Sequence, residues 1–534
     1  MKLISDATAE KLRGGFYTPE PIAEFILRWG INGNNDLDIL EPSCGDGIFL
    51  RQLDKFKYNS ITAVELDATE AGKAEKIPLD HKQVINTDFH TYCNNTLQRF
   101  DLVIGNPPYI RYQFFDRQQQ IEAGNIFNRA GLTYSKLTNA WVSFVVGSSL
   151  LLKDQGGKIG FVLPAEILQV SFAKQLRDFI AHFYNKINII SFEKLVFDNI
   201  QQEVVLLLCE KNGTSDHKIE HIELRDASEL QKLDISKLKS PQKTIDFKSN
   251  KWTFYFLDQE EIDFLENVAA QKNIPSLSAF AKVEVGITTG SNDFFTVPLS
   301  TVEEYNLQAY AKPMVGRSVQ VNSVIFTAKD WKINKLSKAK AHLLVFPDGE
   351  EIRSEEGAGE YIAYGERIGI NKGYKTGIRE DWFVVPSLKV SEALFIRRNN
   401  LYPRLIINQA KAYTTDTMHR VFLLPETDVK ALTASYYNSL SLAFTEVSGR
   451  SHGGGVLELM PNEAEAILLP YHKDNAALLP KIDLLIRNKV SIEDVLKITN
   501  EVILKERYGL TQGEIKLAHG IWKKLSLRRL NRGK

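Results

Sequence analysis

The fold is decided by residues 39–50, which read Ile39-Leu40-Glu41-Pro42-Ser43-Cys44-Gly45-Asp46-Gly47-Ile48-Phe49-Leu50. An apolar run, a glycine-containing turn and a second apolar run predict a strand, a tight loop and the start of a helix. Glycines in such a loop let a ligand approach the backbone closely, beyond the carboxyl end of the strand. Because the spacing is not the G-x-G-x-x-G pattern, the segment predicts a ligand site without specifying a dinucleotide.

Short apolar runs alternate with amphipathic segments from about Ile39 to Glu210. The alternation predicts an α/β fold, with a mostly parallel sheet covered by helices on both faces. The connection at 193–203 is too short for a parallel crossover, so we expect the last two strands to pair antiparallel. The predicted strands are 37–40, 60–65, 83–85, 102–105, 158–163, 187–192 and 204–209, and the clearest helices are 141–152 and 172–184.

Length, charge and cysteine content set further bounds. A chain of 534 residues predicts more than one domain. Lys plus Arg and Asp plus Glu both number 66, which excludes a diffuse polycation but allows a local basic groove. The 3 cysteines lie far apart without metal-ligand spacing, so we predict neither a zinc site nor a disulfide framework, as in a reducing cytosol. No apolar stretch predicts a signal peptide or a membrane span.

Acidic residues follow the next two predicted strands. Glu65 ends the second strand, where a carboxylate suits the two donors of a ribose. Asp88 follows the third strand and can accept a hydrogen bond from an adenine amino group, while the adjacent Phe89 can stack on the ring. Because these features occur at successive strand ends, they predict one nucleoside site more strongly than each does alone.

Asn106-Pro107-Pro108-Tyr109 comes directly after the fourth strand. The two prolines stiffen the loop and leave carbonyl oxygens as acceptors. The amide oxygen of Asn106 and the carbonyl oxygen of Pro107 would favour a pyramidal nitrogen in an amino group conjugated to a ring. Tyr109 offers a face on which a base can stack. The tetrapeptide therefore predicts reaction at an amino group without a strong general base.

The order of these motifs resembles that of the class I, Rossmann-like methyltransferases, which implies S-adenosylmethionine as the cofactor. The resemblance implies a seven-stranded sheet ending in an antiparallel pair, and no metal. It assigns cofactor binding to residues of the four strand ends and of an N-terminal Thr-Pro motif, where Thr18 also suits a helix N-cap with Pro19 first in the helix. The cofactor residues so predicted are Tyr17, Thr18, Glu41, Ser43, Gly45, Gly47, Glu65, Asp88, Phe89 and Asn106.

The complete order resembles more specifically the gamma-class N6-adenine DNA methyltransferases of restriction-modification systems. In that family the target base is extruded from the duplex. The resemblance implies catalytic roles for Asn106, Pro107 and Tyr109. Val196-Phe197-Asp198-Asn199-Ile200 resembles the family's second aromatic clamp, so Phe197 is predicted to stack on the other face of the flipped adenine.

The second half of the chain resembles that family's target-recognition domain less specifically. The segments that carry the resemblance are 283–292, 312–317 and 412–420, and 448–455 is a glycine-rich loop with cationic groups that can approach a phosphate. A polar, Lys-rich stretch from 213 to 250 predicts the domain boundary. The resulting division is a catalytic domain at 1–245, a mixed α+β recognition domain at 246–475 and a helical extension at 476–534, whose basic end we expect to be solvated.

Partners and alternatives follow from the same resemblance. We expect a monomer in the cytoplasm of a prokaryotic cell, acting on double-stranded DNA beside a separate restriction endonuclease. Two alternatives stay open at this point. RNA and protein-glutamine methyltransferases share the Asn-Pro-Pro-Tyr chemistry, and a non-catalytic DNA-binding protein could retain a relic of the fold.

Overall fold

The computed structural model describes residues 18–110, 114–135, 139–197, 203–234, 238, 242–245, 251–452 and 454–531. Two compact units are present, Met1–Ile262 with Asn531–Lys534, and Asp263–Leu530. Helices after residue 476 belong to the second unit. Within the described residues, no helix combines the length and apolar character needed to cross a membrane.

The first unit is built on one large mixed sheet. In its described part, nine strands lie in the order β3-β2-β1-β4-β5-β7-β6-β8-β9. The strands are β1 (Asp38–Glu41), β2 (Ser60–Glu65), β3 (Lys82–Asn86), β4 (Leu102–Gly105), β5 (Lys158–Pro164), β6 (Lys186–Phe192), β7 (Val204–Glu210), β8 (Lys218–Leu224) and β9 (Lys243–Thr244). The helices are α1 (Glu20–Ile31), α2 (Ile48–Leu53), α3 (Ala68–Glu75), α4 (Phe89–Asn95), α5 (Arg117–Arg129), α6 (Ala140–Leu150) and α7 (Lys174–Phe183).

The seven predicted strands and both predicted helices are present. Strands β1 to β5 pair in parallel. The prediction of an antiparallel β6–β7 pair is confirmed, with β7 inserted between β5 and β6 and antiparallel to both. The α/β class is therefore as expected from the sequence.

The strand count departs from the prediction of seven. Strand β8 pairs in parallel with β6, and β9 pairs antiparallel with β8. Both lie in the stretch 213–250 that the sequence predicts to be only a polar boundary. Most side chains of β8 are only partly buried, so its apolar pattern is weak and periodicity does not reveal it.

A second departure concerns the start of α1. The N-cap of this helix is Pro19, whose carbonyl accepts hydrogen bonds from Ile22 and Ala23, and no side chain caps the helix. The prediction that Thr18 is the N-cap is therefore wrong. Pro21, and not Pro19, is the proline in the first turn, where its missing N–H costs nothing.

The core beneath the site follows from the alternation of side chains along the strands. Ile39, Ile61 and Leu102 belong to one buried cluster with residues of α1 and α2. The alternate residues Leu40 and Val103 are also fully buried and face the other side of the sheet. A sheet buried on both faces holds its strand ends rigidly, and the candidate site lies at those ends.

The second unit contains three small sheets and many helices. Its described strands form the orders β10-β18-β15-β17-β13, β11-β14-β12 and β16-β20-β19. The strands are β10 (Ala281–Val285), β11 (Thr296–Val297), β12 (Ala311–Pro313), β13 (Ile325–Phe326), β14 (His342–Leu344), β15 (Ala393–Ile396), β16 (Arg398–Asn399), β17 (Leu405–Asn408), β18 (Met418–Leu423), β19 (Arg450–His452) and β20 (Val456–Glu458).

The helices of the second half complete the description. The division between the two units falls within the first of them. They are α8 (Gln259–Gln271), α9 (Asn292–Phe295), α10 (Leu299–Glu304), α11 (Ala328–Leu336), α12 (Glu351–Ser354), α13 (Ala358–Arg367), α14 (Val429–Tyr436), α15 (Ser439–Ser448), α16 (Pro461–Glu465), α17 (Leu479–Arg487), α18 (Ile492–Thr499), a π-helix at Asn500–Arg507, and α19 (Gln512–Asn531).

One residue near the end of α19, Arg529, is not solvated as the sequence predicts for this basic end. Arg529 is 2% exposed and forms two hydrogen bonds with the buried Glu446, from Nη2 at 2.7 Å and from Nε at 3.0 Å. It also donates to the carbonyl of Gly455. A run of positive charge in the sequence does not show that one member faces a buried acid 83 residues away.

Candidate active site

The candidate site lies at the edge of the sheet where β1 to β4 end. Because these strands are parallel, the loops that follow them meet at one edge. They enclose a cavity of about 470 Å³, a usual size for a small-molecule site. Eight predicted residues line it: Thr18, Glu41, Ser43, Gly45, Glu65, Asp88, Phe89 and Asn106.

Glu65 organises the loop after β1. Its Oε2 accepts a hydrogen bond from the backbone N–H of Gly45 and its Oε1 from that of Asp67, both at 2.8 Å. Burial raises the pKa of the Glu65 carboxyl, and these backbone hydrogen bonds only partly offset that effect. Each carboxylate oxygen keeps a lone pair for a donor in the cavity.

The two glycines of this loop have different structural roles. Gly45 has a φ of +53° and lines the cavity, where its N–H reaches Glu65. Gly47 has a φ of +85° and is the N-cap of α2, but it does not line the cavity. A Cβ at Gly47 would lie 2.4 Å from Cδ1 of Ile77. Gly47 is therefore a turn residue that packs close to Ile77, outside the lining of the cavity.

Glu41 is the deepest acid of the cavity. It is 1% exposed, and its Oε2 accepts no hydrogen bond from the described residues. Burial raises the pKa of Glu41 well above its usual range, and the charges of Glu65 and Asp46 add to the effect. A buried acceptor of this kind is costly unless a ligand supplies a donor or a positive charge.

Asp88 is held in place by four neighbouring donors. It caps α4 through the N–H groups of His90 and Thr91, and it contacts Nδ1 of His90 at 3.1 Å. The other oxygen accepts a hydrogen bond from Nε2 of Gln119 at 3.1 Å. Burial raises the pKa of Asp88, but the hydrogen bonds from His90 and Gln119 outweigh burial, so the pKa lies below its usual value. The carboxylate is thus ionised and fixed.

An aromatic wall stands next to Asp88. Phe89 stacks on Phe144 with ring centroids 4.7 Å apart, and the ring of His90 meets Phe115 edge-on at 5.4 Å. Four of these lining residues, His90, Phe115, Gln119 and Phe144, are absent from the sequence predictions. His90 directly follows the predicted residues Asp88 and Phe89. Phe115, Gln119 and Phe144 lie in no recognisable motif, so the sequence carries no signal for them.

Asn106 connects two of the loops. It lines the cavity, and its backbone carbonyl accepts a hydrogen bond from Oγ of Ser43 at 3.3 Å. The adjacent Pro107 is buried and does not line the cavity, whereas Pro108 does. The stiff loop thus presents its first residue to the same space that Glu65 enters.

Two predicted aromatic residues lie elsewhere. Tyr109 packs against the hydrophobic cluster beneath the sheet, and its hydroxyl donates to the carbonyl of Val162 in β5 at 3.2 Å. Phe197 is 7% exposed and belongs to that same cluster. The structure therefore brings Tyr109 and Phe197 to one cluster across 88 residues, outside the lining of the cavity. Tyr17 and residues 198–200 fall outside the described residues.

The cavity is strongly acidic. Its lining includes six carboxylates and, in the described part of the chain, no lysine or arginine: Glu41, Asp46, Glu65, Asp67, Glu70 and Asp88. Arg51 neutralises part of this charge through Asp46, at 2.9 Å. A site with this charge repels phosphate-bearing nucleotides and favours a ligand that carries positive charge.

Two family models match the chain, one in each half. "Eco57I restriction-modification methylase" matches residues 47–197, which contain the four strand ends and the Asn-Pro-Pro-Tyr loop. "Type II methyltransferase M.Eco57I, C-terminal domain" matches residues 249–504. The chain belongs to the restriction-modification DNA methyltransferases.

Individual relatives of this methyltransferase agree with the family match. Type II methyltransferase M.AccI of Acinetobacter calcoaceticus is 27% identical over 467 residues, which cover 84% of this chain and 83% of that protein. Type II methyltransferase M.HincII of Haemophilus influenzae is 30% identical over 227 residues, which cover 42% of each protein. Among solved structures, a DrdV–DNA complex matches 89% of this chain and 57% of its own, with a TM-score of 0.49 and 13% identity.

Proposed function

We propose that this methyltransferase transfers a methyl group from S-adenosylmethionine to the N6 amino group of an adenine flipped out of duplex DNA. The proposal places it in the gamma class, as a monomeric modification enzyme that acts beside a separate endonuclease. One observation carries it: the Asn106 loop, built to accept hydrogen bonds from an amino group, opens into an acidic cavity suited to a cationic nucleoside.

The residues of the cavity fit S-adenosylmethionine, whose sulfonium supplies an electrophilic methyl group. Glu65 would accept from the ribose hydroxyls, and Asp88 from the adenine amino group. Thr18, Ser43 and Glu41, which line the same cavity, would accept hydrogen bonds from the positively charged methionine end. The buried Oε2 of Glu41, which accepts no hydrogen bond from the described residues, supports a ligand with a donor or a positive charge at that position.

The chain itself contributes orientation and charge stabilisation. In a flipped base, the amino hydrogens would be accepted by the Asn106 amide oxygen and the Pro107 carbonyl, which favours a lone pair directed at the methyl group. The acceleration then comes chiefly from holding nucleophile and methyl group in line. The stiffness that Pro107 and Pro108 give the loop limits the reorganisation needed at the moment of transfer.

Tyr109 and Phe197 are the proposed clamp for the base. Both rings pack on one hydrophobic cluster, and neither lines the cofactor cavity. Stacking on aromatic side chains is worth about 1–3 kcal/mol per base, which offsets much of the few kcal/mol that unstacking costs.

The experiment is methyl transfer from labelled S-adenosylmethionine to duplex DNA, followed by nucleoside digestion. We expect N6-methyladenine. Label in cytosine, RNA or protein would overturn the assignment. Asn106→Ala should lower turnover by at least about 100-fold, as expected when a group that stabilises the transition state is lost, with cofactor affinity retained. Asn128→Ala, at an exposed position of α5, is the matched control. Loss of cofactor binding in Asn106→Ala would mean that the loop is wrongly assigned.

A further inference from the structure

Three separate segments of the second unit meet in one loop cluster, here called the loop rim (residues 286–293, 314–320 and 412–417). The N–H of Ile287 donates to the carbonyl of Thr414 at 2.8 Å, and the N–H of Val315 donates to that of Tyr413 at 2.9 Å. The hydroxyl of Thr417 donates to the carbonyl of Gly316 at 2.7 Å. The segments at 283–292, 312–317 and 412–420, distant in sequence, thus build one surface.

The close packing of the rim explains why position 286 is a glycine. A Cβ at Gly286 would lie 1.9 Å from the backbone oxygen of Thr415, so no larger residue fits there. On the outer side, Asn292 donates from Nδ2 to Oδ1 of Asp416 at 3.0 Å. Gly290, Asn292, Asp293 and Arg317 are exposed. The rim is therefore a firmly tied structure whose outward side chains are polar apart from Val319, which is 80% exposed.

A basic helix stands next to the rim. Thr327 and Asp330 form a capping box that fixes the start of α11. Asp330 is 5% exposed and pairs with Arg487 at 2.9 Å, so the only acid between residues 327 and 341 points inward. Asn334, also on the inner face, donates to the carbonyl of Gln320 in the rim at 2.8 Å. This contact ties the helix to the rim.

The outer side of this helix carries charge of one sign. Lys329, Lys332 and Lys338 are exposed and form no ion pair with the described residues. Lys335 lies over the ring of Trp331, with Nζ 5.6 Å from the centroid. A helix face that is merely solvated usually mixes both signs of charge. The chain as a whole has a formal net charge of +0, so this face is a local concentration of positive charge.

The positive charge continues from the helix onto the rim. Lys340, just after the helix, pairs with Asp293 of the rim at 2.6 Å. The charge of Lys340, and more weakly that of Arg317, lowers the pKa of Asp293. The basic face is defined here by its six cations, Arg317, Lys329, Lys332, Lys335, Lys338 and Lys340, against the one exposed acid Asp293.

We propose that the basic face binds the sugar-phosphate backbone of duplex DNA and holds the loop rim against the groove. This inference rests on the proposed function and adds the surface through which the second unit contacts its substrate. Lys329 and Lys335 are separated by about 9 Å along the helix axis. Phosphates recur about every 3.4 Å of axis on one strand, so the face matches two or three successive phosphates. Cations of this kind position a duplex without reading its sequence.

The test is the double variant Lys329→Ala/Lys332→Ala in the full-length chain. Alanine favours helix, and both side chains are exposed, so the fold should be retained. The matched control is Lys473→Ala/Lys516→Ala. Both control lysines are exposed, and their neighbours Leu478 and Ile515 pack on a different hydrophobic cluster from that of Trp331.

The readouts are the KM for DNA, the salt dependence of DNA binding, cofactor affinity and turnover at saturating DNA. We expect weaker binding of every duplex, whatever its sequence, and a slope of log affinity against log salt reduced by about 2. Cofactor affinity and saturated turnover should not change. An unchanged KM and slope would overturn the inference even if the wild-type enzyme methylates adenine. Absence of adenine methylation by the wild-type enzyme would overturn the proposed function instead, so the two failures are distinguishable.

Discussion

Replacing Glu65 with glutamine tests the cofactor role proposed for the cavity. Both carboxylate oxygens of Glu65 accept a backbone N–H, from Gly45 and from Asp67, at 2.8 Å. Glutamine keeps the shape but converts one acceptor into an amide donor. One backbone N–H then faces another N–H, and the cavity also loses a negative charge. Glu65→Gln should therefore disturb the loop and the cavity, although glutamine and glutamate have nearly the same shape.

The size of the effect follows from these contacts. A hydrogen bond to a charged acceptor contributes about 1.5–3 kcal/mol, and a buried N–H left without a partner costs about 1–3 kcal/mol. The combined loss is shared between the stability of the loop and the affinity for a ligand that needs the same carboxylate. We expect S-adenosylmethionine to bind about 100-fold more weakly, which corresponds to about 2.7 kcal/mol. The remainder should lower the thermal midpoint by about 2–4 °C per kcal/mol.

Isothermal titration calorimetry of the full-length chain with S-adenosylmethionine measures the affinity. Thermal unfolding without ligand measures how much stability the loop loses. Glu24→Gln is the matched control, since Glu24 pairs with Lys55 at the surface, at 2.8 Å, outside the cavity. It should leave the affinity unchanged. A Glu65→Gln protein that binds within threefold of the wild type would refute the reasoning.

Three further changes test other parts of the structure. Arg529→Met leaves the buried Glu446 carboxylate unpaired and should cost about 3–5 kcal/mol of unfolding free energy, much of it regained with Glu446→Leu; an unchanged thermal midpoint in the single variant contradicts this. Glu458, whose pKa is lowered from 4.5 to about 2 by a hydrogen bond with His452 and by the charges of Arg397 and Arg398, should stabilise the fold above pH 4.5 and lose that contribution as the pH falls toward 2. Its contribution is at most about 3 kcal/mol and is reduced by screening of exposed partners, and Glu458→Gln should flatten the urea midpoint between pH 6 and 2. Gly47→Ala forces a Cβ into a left-handed turn and onto Ile77, so it should cost about 1–2 kcal/mol and weaken cofactor binding; full affinity at wild-type stability would rule this out.

The core of the first unit was largely predictable. Seven strands follow from apolar runs bounded by turn residues, and their bounds differ from the structure by at most one residue. Fully buried parallel strands carry nearly continuous apolar sequence, so the pattern is strong. Strand β8, which lies between β6 and the two-residue β9, is only partly buried and escaped prediction for that reason. The prediction of Thr18 as the N-cap was wrong because the first residue of a helix can move by one position without any change in the apolar pattern. The helix begins at Glu20, and Pro19 is its N-cap.

The candidate site was predictable only where it lies on strand ends. Glu41 and Glu65 end their strands and Asp88 and Asn106 come just after theirs. All four line one cavity, and their roles there stay predictions. The hydrogen bond from Gln119 to Asp88 has no such signal. This hydrogen bond depends on how α5 crosses the loops, and the packing of the folded chain determines that crossing.

The sequence by itself determined which groups stand at the strand ends: the glycine turn after β1, the acids that end β2 and follow β3, and the stiff Asn106 loop after β4. Those are local properties, since each strand end is fixed by the residues next to it. Only the tertiary structure decided that Tyr109 and Phe197 share a cluster, that Arg529 is buried against Glu446, and that three distant segments form the loop rim. Each of these depends on contacts between residues far apart in the chain, whose free energy is gained only when the separate elements pack together.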